Sequence, residues 1–319
     1  MQASVEKKVK HAIVKGNGKL LISGEYFVLD GAKAFALPCK FGQNFDIVES
    51  SSDFENNSLL WKAYNSNNQL WLETEIRNSD IESEVEKTKE AEMLYKILKV
   101  CKELNPKFLT DRTNIEVTAI LEFPNNWGLG SSSTLIHFMA KWANINPYQL
   151  LEKTFGGSGY DVACAESNTA IYYTRRNINP TIEKIAFKPT FKDKIFFVHL
   201  NEKMNSRNAI AYYKNLNIDK SSIIAEVNQL SECFVNASTI KEFENCMLQH
   251  EILVSKTLKI ERVKNTLFKD YWGEVKSLGA WGGDFVMVTN TREEAVFRKY
   301  MIEKGFETIF SYDEMILPD

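Results

Sequence analysis

Three serines, Ser131, Ser132 and Ser133, follow the run Pro124-Asn125-Asn126-Trp127-Gly128-Leu129-Gly130. Glycines let a backbone approach an anion closely, and hydroxyls at the start of a helix add donors to its free N–H groups. That combination suits a phosphate, and a serine such as Ser132 can also contact a divalent cation. The plainer reading is a strand–turn–helix capped by Ser131, because glycine and serine suit any such turn. A second glycine-rich stretch, Gly156-Gly157-Ser158-Gly159-Tyr160, delivers Asp161 to a segment of small residues. A carboxylate there can orient or deprotonate an attacking hydroxyl, or it can simply start a helix. Lys19 follows Gly16-Asn17-Gly18 and precedes an apolar run. By residue type and place it reads as an ordinary solvated loop lysine. Lys203 and Arg207 flank Ser206 ahead of another helical stretch, a place where an anionic substrate group would fit.

The elements that must hold these residues are legible from periodicity. Ile115, Val117, Ala119 and Leu121 alternate with other residues, which predicts a strand leading into the serine loop. Leu135, Phe138, Met139, Trp142 and Ile145 recur at helical spacing after it. Residues 12–14 read as a strand, 16–18 as a turn, and Asp30-Gly31 as a reversal into the strand 34–37. Residues 86–104 form one apolar helical face, and Asn105-Pro106 ends it. Further on, 195–200 reads as a strand, and helices are expected from about 208, over 219–235 and over 240–258. The last of these opens with the capping box Thr239…Glu242. Gly279-Ala280-Trp281-Gly282-Gly283-Asp284 leads into the strand 285–289, the helix 291–304 and the strand 308–311. This tail looks like half of a ferredoxin-like sandwich.

The whole chain limits the alternatives. It has 319 residues, 44% hydrophobic and 25% charged, with a formal net charge of −3. That length suggests two domains, and that charge supplies no basic field for nucleic acid or an anionic membrane. The five cysteines share no C-x-x-C spacing and read as reduced, packed thiols, with neither disulfides nor a zinc site expected. No apolar run approaches the ~18–20 residues that span a bilayer, and Glu6, Lys7, Lys8 and Lys10 precede no signal-peptide core. A cytoplasmic protein with a small-molecule partner, either monomer or homodimer, is the expectation.

Three separated motifs now stand in order. Gly18-Lys19-Leu20-Leu21-Ile22-Ser23-Gly24-Glu25-Tyr26 resembles motif 1 of the GHMP kinases, the superfamily of galactokinase and of homoserine, mevalonate and phosphomevalonate kinases. Pro124 through Ser133 resembles motif 2, Pro-x₃-Gly-Leu-Gly-Ser-Ser. Residues 279–284 resemble the glycine-rich motif 3, with Trp281 where the family pattern has glycine. The run Gly159-Tyr160-Asp161-Val162-Ala163 is similar to the signature of the bacterial GYDIA-type subgroup, which has Ile in place of Val162.

The resemblance implies an α+β, two-domain architecture: a ribosomal S5 domain 2-like domain over 1–190 and a ferredoxin-like domain over 191–319. It implies ATP and Mg²⁺ as cofactors, with Pro124, Gly128, Leu129, Gly130, Ser131, Ser132 and Ser133 around the phosphates. Ser132 and, in a short intervening segment, Glu152 are the implied metal contacts. Asp161 matches the catalytic aspartate, and Lys19 matches the lysine that helps neutralise the transferring phosphate. Gly282, Gly283 and Asp284, with Lys203, Ser206 and Arg207, would border the acceptor. Ser-Gly-Glu-Tyr and Gly-Gly-Asp lean toward phosphomevalonate or mevalonate. A diphosphomevalonate decarboxylase-like enzyme and a non-catalytic ATP-binding relative remain as alternatives.

Overall fold

The structure is a computed structural model and describes residues 9–51, 58–81, 88–110, 113–202, 206–216, 218–279, 281 and 283–318. In chain order the strands and helices begin with β1 (Val9–Ser23), β2 (Ala34–Ser51), β3 (Ser58–Tyr64), β4 (Leu70–Arg77), α1 (Lys89–Leu104) and β5 (Thr113–Leu121). Next come α2 (Ser131–Ala143), α3 (Pro147–Lys153), α4 (Tyr160–Glu166), β6 (Ile171–Thr174), β7 (Thr181–Lys184) and β8 (Ile195–His199). The remainder comprises α5 (Ser206–Lys214), α6 (Lys220–Asn236), α7 (Ile240–Leu258), α8 (Val263–Thr266) and β9 (Val275–Ser277). The last elements are β10 (Phe285–Thr289), α9 (Glu294–Glu303), β11 (Ile309–Ser311) and α10 (Tyr312–Met315).

The chain divides into two compact units that are discontinuous in sequence. The first holds residues 1–16, 42–125 and 130–165; the second holds 17–41, 126–129 and 166–319. In the first unit the strands run β4-β3-β5-β2, with β3 parallel to β5 and the other pairs antiparallel. β5 shows why this sequence makes a half-buried strand: Val117, Ala119 and Leu121 turn inward and the residues between them outward. Their partners are the apolar faces of α1 and α2. Phe138 of α2 is fully buried, stacked on Phe45 with ring centroids 4.2 Å apart and on Trp142 at 5.6 Å. The α1 N-terminus is capped by Thr88, which accepts the Ala91 N–H.

In the second unit the N-terminal part of β2 pairs with β6, and β6 with β7. A separate antiparallel sheet has the order β11-β8-β10-β9. With α5–α8 between β8 and β9 and α9 between β10 and β11, this is the β-α-β-β-α-β pattern of a ferredoxin-like fold. Every residue of β8 and β10 is buried, as short continuous apolar runs require. One face meets Phe297 and Met301 of α9 together with Phe268 and Tyr271. The capping box at the start of α7 is formed, Thr239 and Glu242 each accepting from the other's backbone N–H.

Two expectations are corrected. Residues 16–18 are not a turn: β1 runs unbroken through them. A Cβ on Gly18 would lie 2.5 Å from the Phe41 carbonyl oxygen, so this glycine serves a close approach of two backbones. The cysteines are not all free either. Cys233 of α6 and Cys246 of α7 form a disulfide with Cα atoms 6.1 Å apart, while Cys39, Cys101 and Cys164 are buried thiols. The helical hairpin brings the pair together, a juxtaposition that spacing along the chain does not reveal. Among the described residues, no helix is long and apolar enough to cross a membrane.

Phe138→Ala should leave a large cavity in the first unit's core, at a cost of about 3–5 kcal/mol. Urea unfolding of the purified variant measures this, and a loss below about 1 kcal/mol would contradict the packing described.

Candidate functional site

The serine loop is built as the sequence suggests. Gly130 is the N-cap of α2 with φ +97, a left-handed conformation that glycine adopts without strain. Its carbonyl accepts N–H groups from both Ser133 (3.1 Å) and Thr134 (3.1 Å). The Ser133 hydroxyl also donates to that carbonyl at 2.7 Å, and the residue is buried, so its side chain braces the loop. Ser131 is half-buried and Ser132 is exposed. Their N–H groups lie in the first turn, where an α-helix offers no internal partner, at the positive end of its dipole. Pro124 is half-buried, beside the fully buried Phe123.

The residues just before α2 belong to the second unit, and side-chain packing explains why. Trp127 meets Phe41, Phe285 and Phe310 nearly edge-on, at centroid distances of 5.7, 5.7 and 5.3 Å. Two residues on, the Leu129 carbonyl accepts the Lys19 N–H at 3.0 Å, which ties motif 1 to motif 2 through the backbone. Gly128, at φ +65, faces Asp284: a Cβ there would stand 2.4 Å from Oδ2 of that carboxylate. Asp284 is itself fixed, its carbonyl accepting the Leu200 N–H and its own N–H donating to Glu202, both at 2.8 Å. Lys19, Gly128, Leu129 and Asp284 are thus brought together in one unit. Gly283 is buried in the same segment, and Gly282 lies outside the described residues.

Asp161, Glu152 and residues 130–133 belong to the first unit. Asp161 is half-buried in the first turn of α4, where its carboxylate accepts the Val162 N–H at 3.0 Å. Gly156, Gly157 and Gly159 all have positive φ, which explains the glycine-rich approach to that helix. Glu152 is exposed on α3. Among the described residues, no group of three or more His, Cys, Asp or Glu is placed to hold a metal ion. Ser206 and Arg207 begin α5, and Lys203 lies outside the described residues.

Sequence reasoning missed a buried polar cluster behind motif 1. Glu25, His250, Glu251 and Lys276 are each at most 1% exposed. Lys276 Nζ donates to Glu25 Oε1 in a short contact, and to the Ser277 carbonyl at 3.0 Å. His250 Nε2 lies 3.0 Å from Glu25 Oε2 and 3.2 Å from the Gly24 nitrogen. A neutral imidazole can do only one of two things there: donate to the carboxylate or accept from Gly24. Glu251 Oε1 accepts the Ser277 N–H at 3.0 Å. Desolvation opposes ionisation of Glu25, but the Lys276 ammonium and His250 outweigh it and hold the carboxyl below its usual value. Burial, reinforced by Lys276, keeps His250 below its ordinary range. Burial pushes Glu251 up to about 8, which Lys276 offsets only in part and Glu25 reinforces. The available signal was faint: an adjacent His-Glu pair in a helix, and a lysine close before motif 3.

Two outcomes follow from these contacts. Gly128→Ala should destabilise the protein by about 1–3 kcal/mol, through both its φ and the Asp284 carboxylate. In an Asp284→Ala background the same change should cost at least about 1 kcal/mol less, leaving only the backbone strain. Equal costs in both backgrounds, measured by denaturant unfolding, would rule out the contact. Glu251 has a folded pKa above its unfolded value, so the folded state keeps a proton that the unfolded state loses. Wild-type stability should therefore fall relative to Glu251→Gln between about pH 4.5 and pH 8, by about 1.4 kcal/mol per unit, and level off above. A pH-independent difference between the two proteins would show that Glu251 is not held protonated.

Solved structures share this fold at low identity. A mevalonate kinase superposes with a TM-score of 0.70 and 17% identity, over 94% of this chain and 98% of that one. The Streptococcus pneumoniae phosphomevalonate kinase, solved with phosphomevalonate and AMPPNP, gives 0.69 and 16% over 94% of this chain and 99% of its own. The Lactococcus lactis galactokinase, solved with galactose, gives 0.69 and 12%, over 97% of this chain and 94% of that one. No family model matches the sequence, and no curated protein does. Ferredoxin-like strand order, the glycine loop that opens α2 and likeness over nearly the whole chain agree: the protein has the two-domain α+β fold of the GHMP kinases.

Proposed function

We propose that the chain is an ATP-dependent phosphotransferase that moves the γ-phosphoryl group to a hydroxyl or phosphate of a small acid, with mevalonate or phosphomevalonate as the acceptor. The observation that carries this reading is the start of α2. A left-handed Gly130 opens a helix whose first-turn amides are joined by the exposed Ser132 hydroxyl. The solved phosphomevalonate kinase with a bound nucleotide analogue has the same fold, which supports ATP as the donor.

Phosphoryl transfer depends on positioning and on charge neutralisation more than on covalent chemistry. In this reading the amides of Ser131 and Ser132 hold the phosphates, and the Ser133 hydroxyl keeps the loop in shape. Lys19 neutralises charge on the group in transfer. Asp161 orients the acceptor hydroxyl and takes its proton. Ser132 and Glu152 are the residues that would hold Mg²⁺, which when bound screens the charge of the phosphates. Lys203, Ser206 and Arg207, with Gly282, Gly283 and Asp284, would bind the acceptor, whose acidic group explains a need for cations. The protein would act in the cytoplasm on a diffusible small molecule.

ADP release measured over mevalonate, phosphomevalonate, homoserine and galactose tests the assignment. The first two should lead, and Asp161→Asn should lower turnover by ~10²-fold or more while ATP affinity changes little. Turnover within a few-fold of wild type in that variant would remove Asp161 from the chemistry. Preference for a neutral sugar would remove the acceptor class. CO₂ released together with ADP would indicate a decarboxylase on the same fold.

A further inference from the structure

The residues that follow Glu25 and Lys276 are also joined to one another. β9 and β10 form an antiparallel pair, with Ser277 opposite Val286 and the Leu278 N–H donating to the Phe285 carbonyl at 3.0 Å, and Trp281, Gly283 and Asp284 lie between them in the chain. Lys276 sits on β9, and its ammonium is bonded to Glu25. The next residue of motif 1, Tyr26, holds Trp281, its hydroxyl oxygen accepting the Trp281 N–H at 3.1 Å. The Trp281 side chain turns inward and is buried with Tyr26, Phe27, Tyr213 and Val254. Asp284 meets Gly128.

Two features of this arrangement are hard to explain by stability. Tyr26 has φ +62, a left-handed conformation that costs a bulky residue about 1–3 kcal/mol and is kept only where surrounding contacts impose it. Glu25 and Lys276 form an ion pair with neither side chain exposed, an arrangement that well-packed apolar residues generally match or exceed in stability. What the pair does achieve is directional. It fixes the Glu25–Tyr26 dipeptide from one side while Trp281 fixes it from the other.

We propose that Glu25, Tyr26 and Lys276 are positioning residues that set Trp281 and Asp284, and through Asp284 the front of the phosphate loop at Gly128. The kinetic part of this proposal rests on the phosphotransferase reading; the structural part does not. Glu25 and Lys276 touch no reacting atom in this scheme. They act by holding β9 and the strained turn in one mutual arrangement, and misplacement of a reacting group by about 1 Å is enough to lower turnover by about 10²-fold.

The test uses the full chain labelled with 5-fluorotryptophan, the Trp281 resonance being assigned by Trp281→Phe. The double variant Glu25→Gln/Lys276→Met removes both charges together and so avoids leaving one of them buried alone. It should fold, shift or broaden the Trp281 signal, and lower kcat by about tenfold or more with KM for ATP within about threefold. Tyr26→Phe removes only the hydroxyl that accepts the Trp281 N–H, so it gives the same reading if the double variant does not fold. An unmoved Trp281 signal in a folded variant overturns the proposal. So does a moved signal with unchanged kcat in an active enzyme. A wild-type protein that turns over no acceptor, with the Trp281 signal still moved in the variants, sinks the phosphotransferase reading and leaves the positioning role standing.

Discussion

One backbone hydrogen bond, from the Lys19 N–H to the Leu129 carbonyl, is the constraint on which the arrangement of the motifs depends. It joins the first glycine motif to the second at the residue just before the loop turns into α2. Its geometry requires glycines on both sides. Gly18 must let β1 pass close to the Phe41 carbonyl, and Gly128 must accept a carboxylate where a side chain would be. Trp127 supplies the anchorage, because a large aromatic side chain wedged among three others leaves the intervening backbone little freedom. The glycines therefore act as spacers between rigid parts, and flexibility is not their role here. In the proposed phosphotransferase such rigidity would help, since donors fixed beforehand need no reorganisation when charge develops.

Much of this was legible in the sequence because local rules and global fold agree there. The strand before the serine loop and the helix after it follow from the spacing of apolar residues, and the ferredoxin-like tail follows from its alternating elements. Thr239 and Glu242 announced the start of α7 by chemistry alone. The failures have a common cause. Gly16-Asn17-Gly18 looks like a turn because turns are the commonest use of glycine, whereas here Gly16 lets β1 approach Thr134 of α2 and Gly18 lets it approach the Phe41 carbonyl. The Cys233–Cys246 pair depends on how two helices lie against each other. β9 is three residues long and carries a lysine, so no periodicity could mark it as a strand. Its lysine is tolerated only because Glu25, 251 positions away, is buried beside it. Contacts across such separations leave no trace in a single sequence.

The candidate site shows the same division. Ser131, Ser132 and Gly130 could be placed from type and order, because a helix N-terminus uses the same chemistry wherever it occurs. Ser133 could not be told from its neighbours, yet its hydroxyl is spent on the Gly130 carbonyl while that of Ser132 is exposed. Asp161 was readable as a carboxylate after a glycine turn, and its half-buried place in the first turn of α4 is compatible with either of its two readings. The buried ionisable cluster left only a faint signal. Each member has an ordinary explanation in isolation, and only burial together joins four common residues into one cluster.

Trp281 makes its position intolerant of a small residue. Its large side chain lies in a core with Tyr26, Phe27 and Tyr213, while its backbone N–H reaches the Tyr26 hydroxyl oxygen. Glycine there would leave a void the size of an indole, of the kind that costs about 3–5 kcal/mol, a large part of the stability of a typical domain. One residue is thus both a rivet for the backbone and a plug for the core.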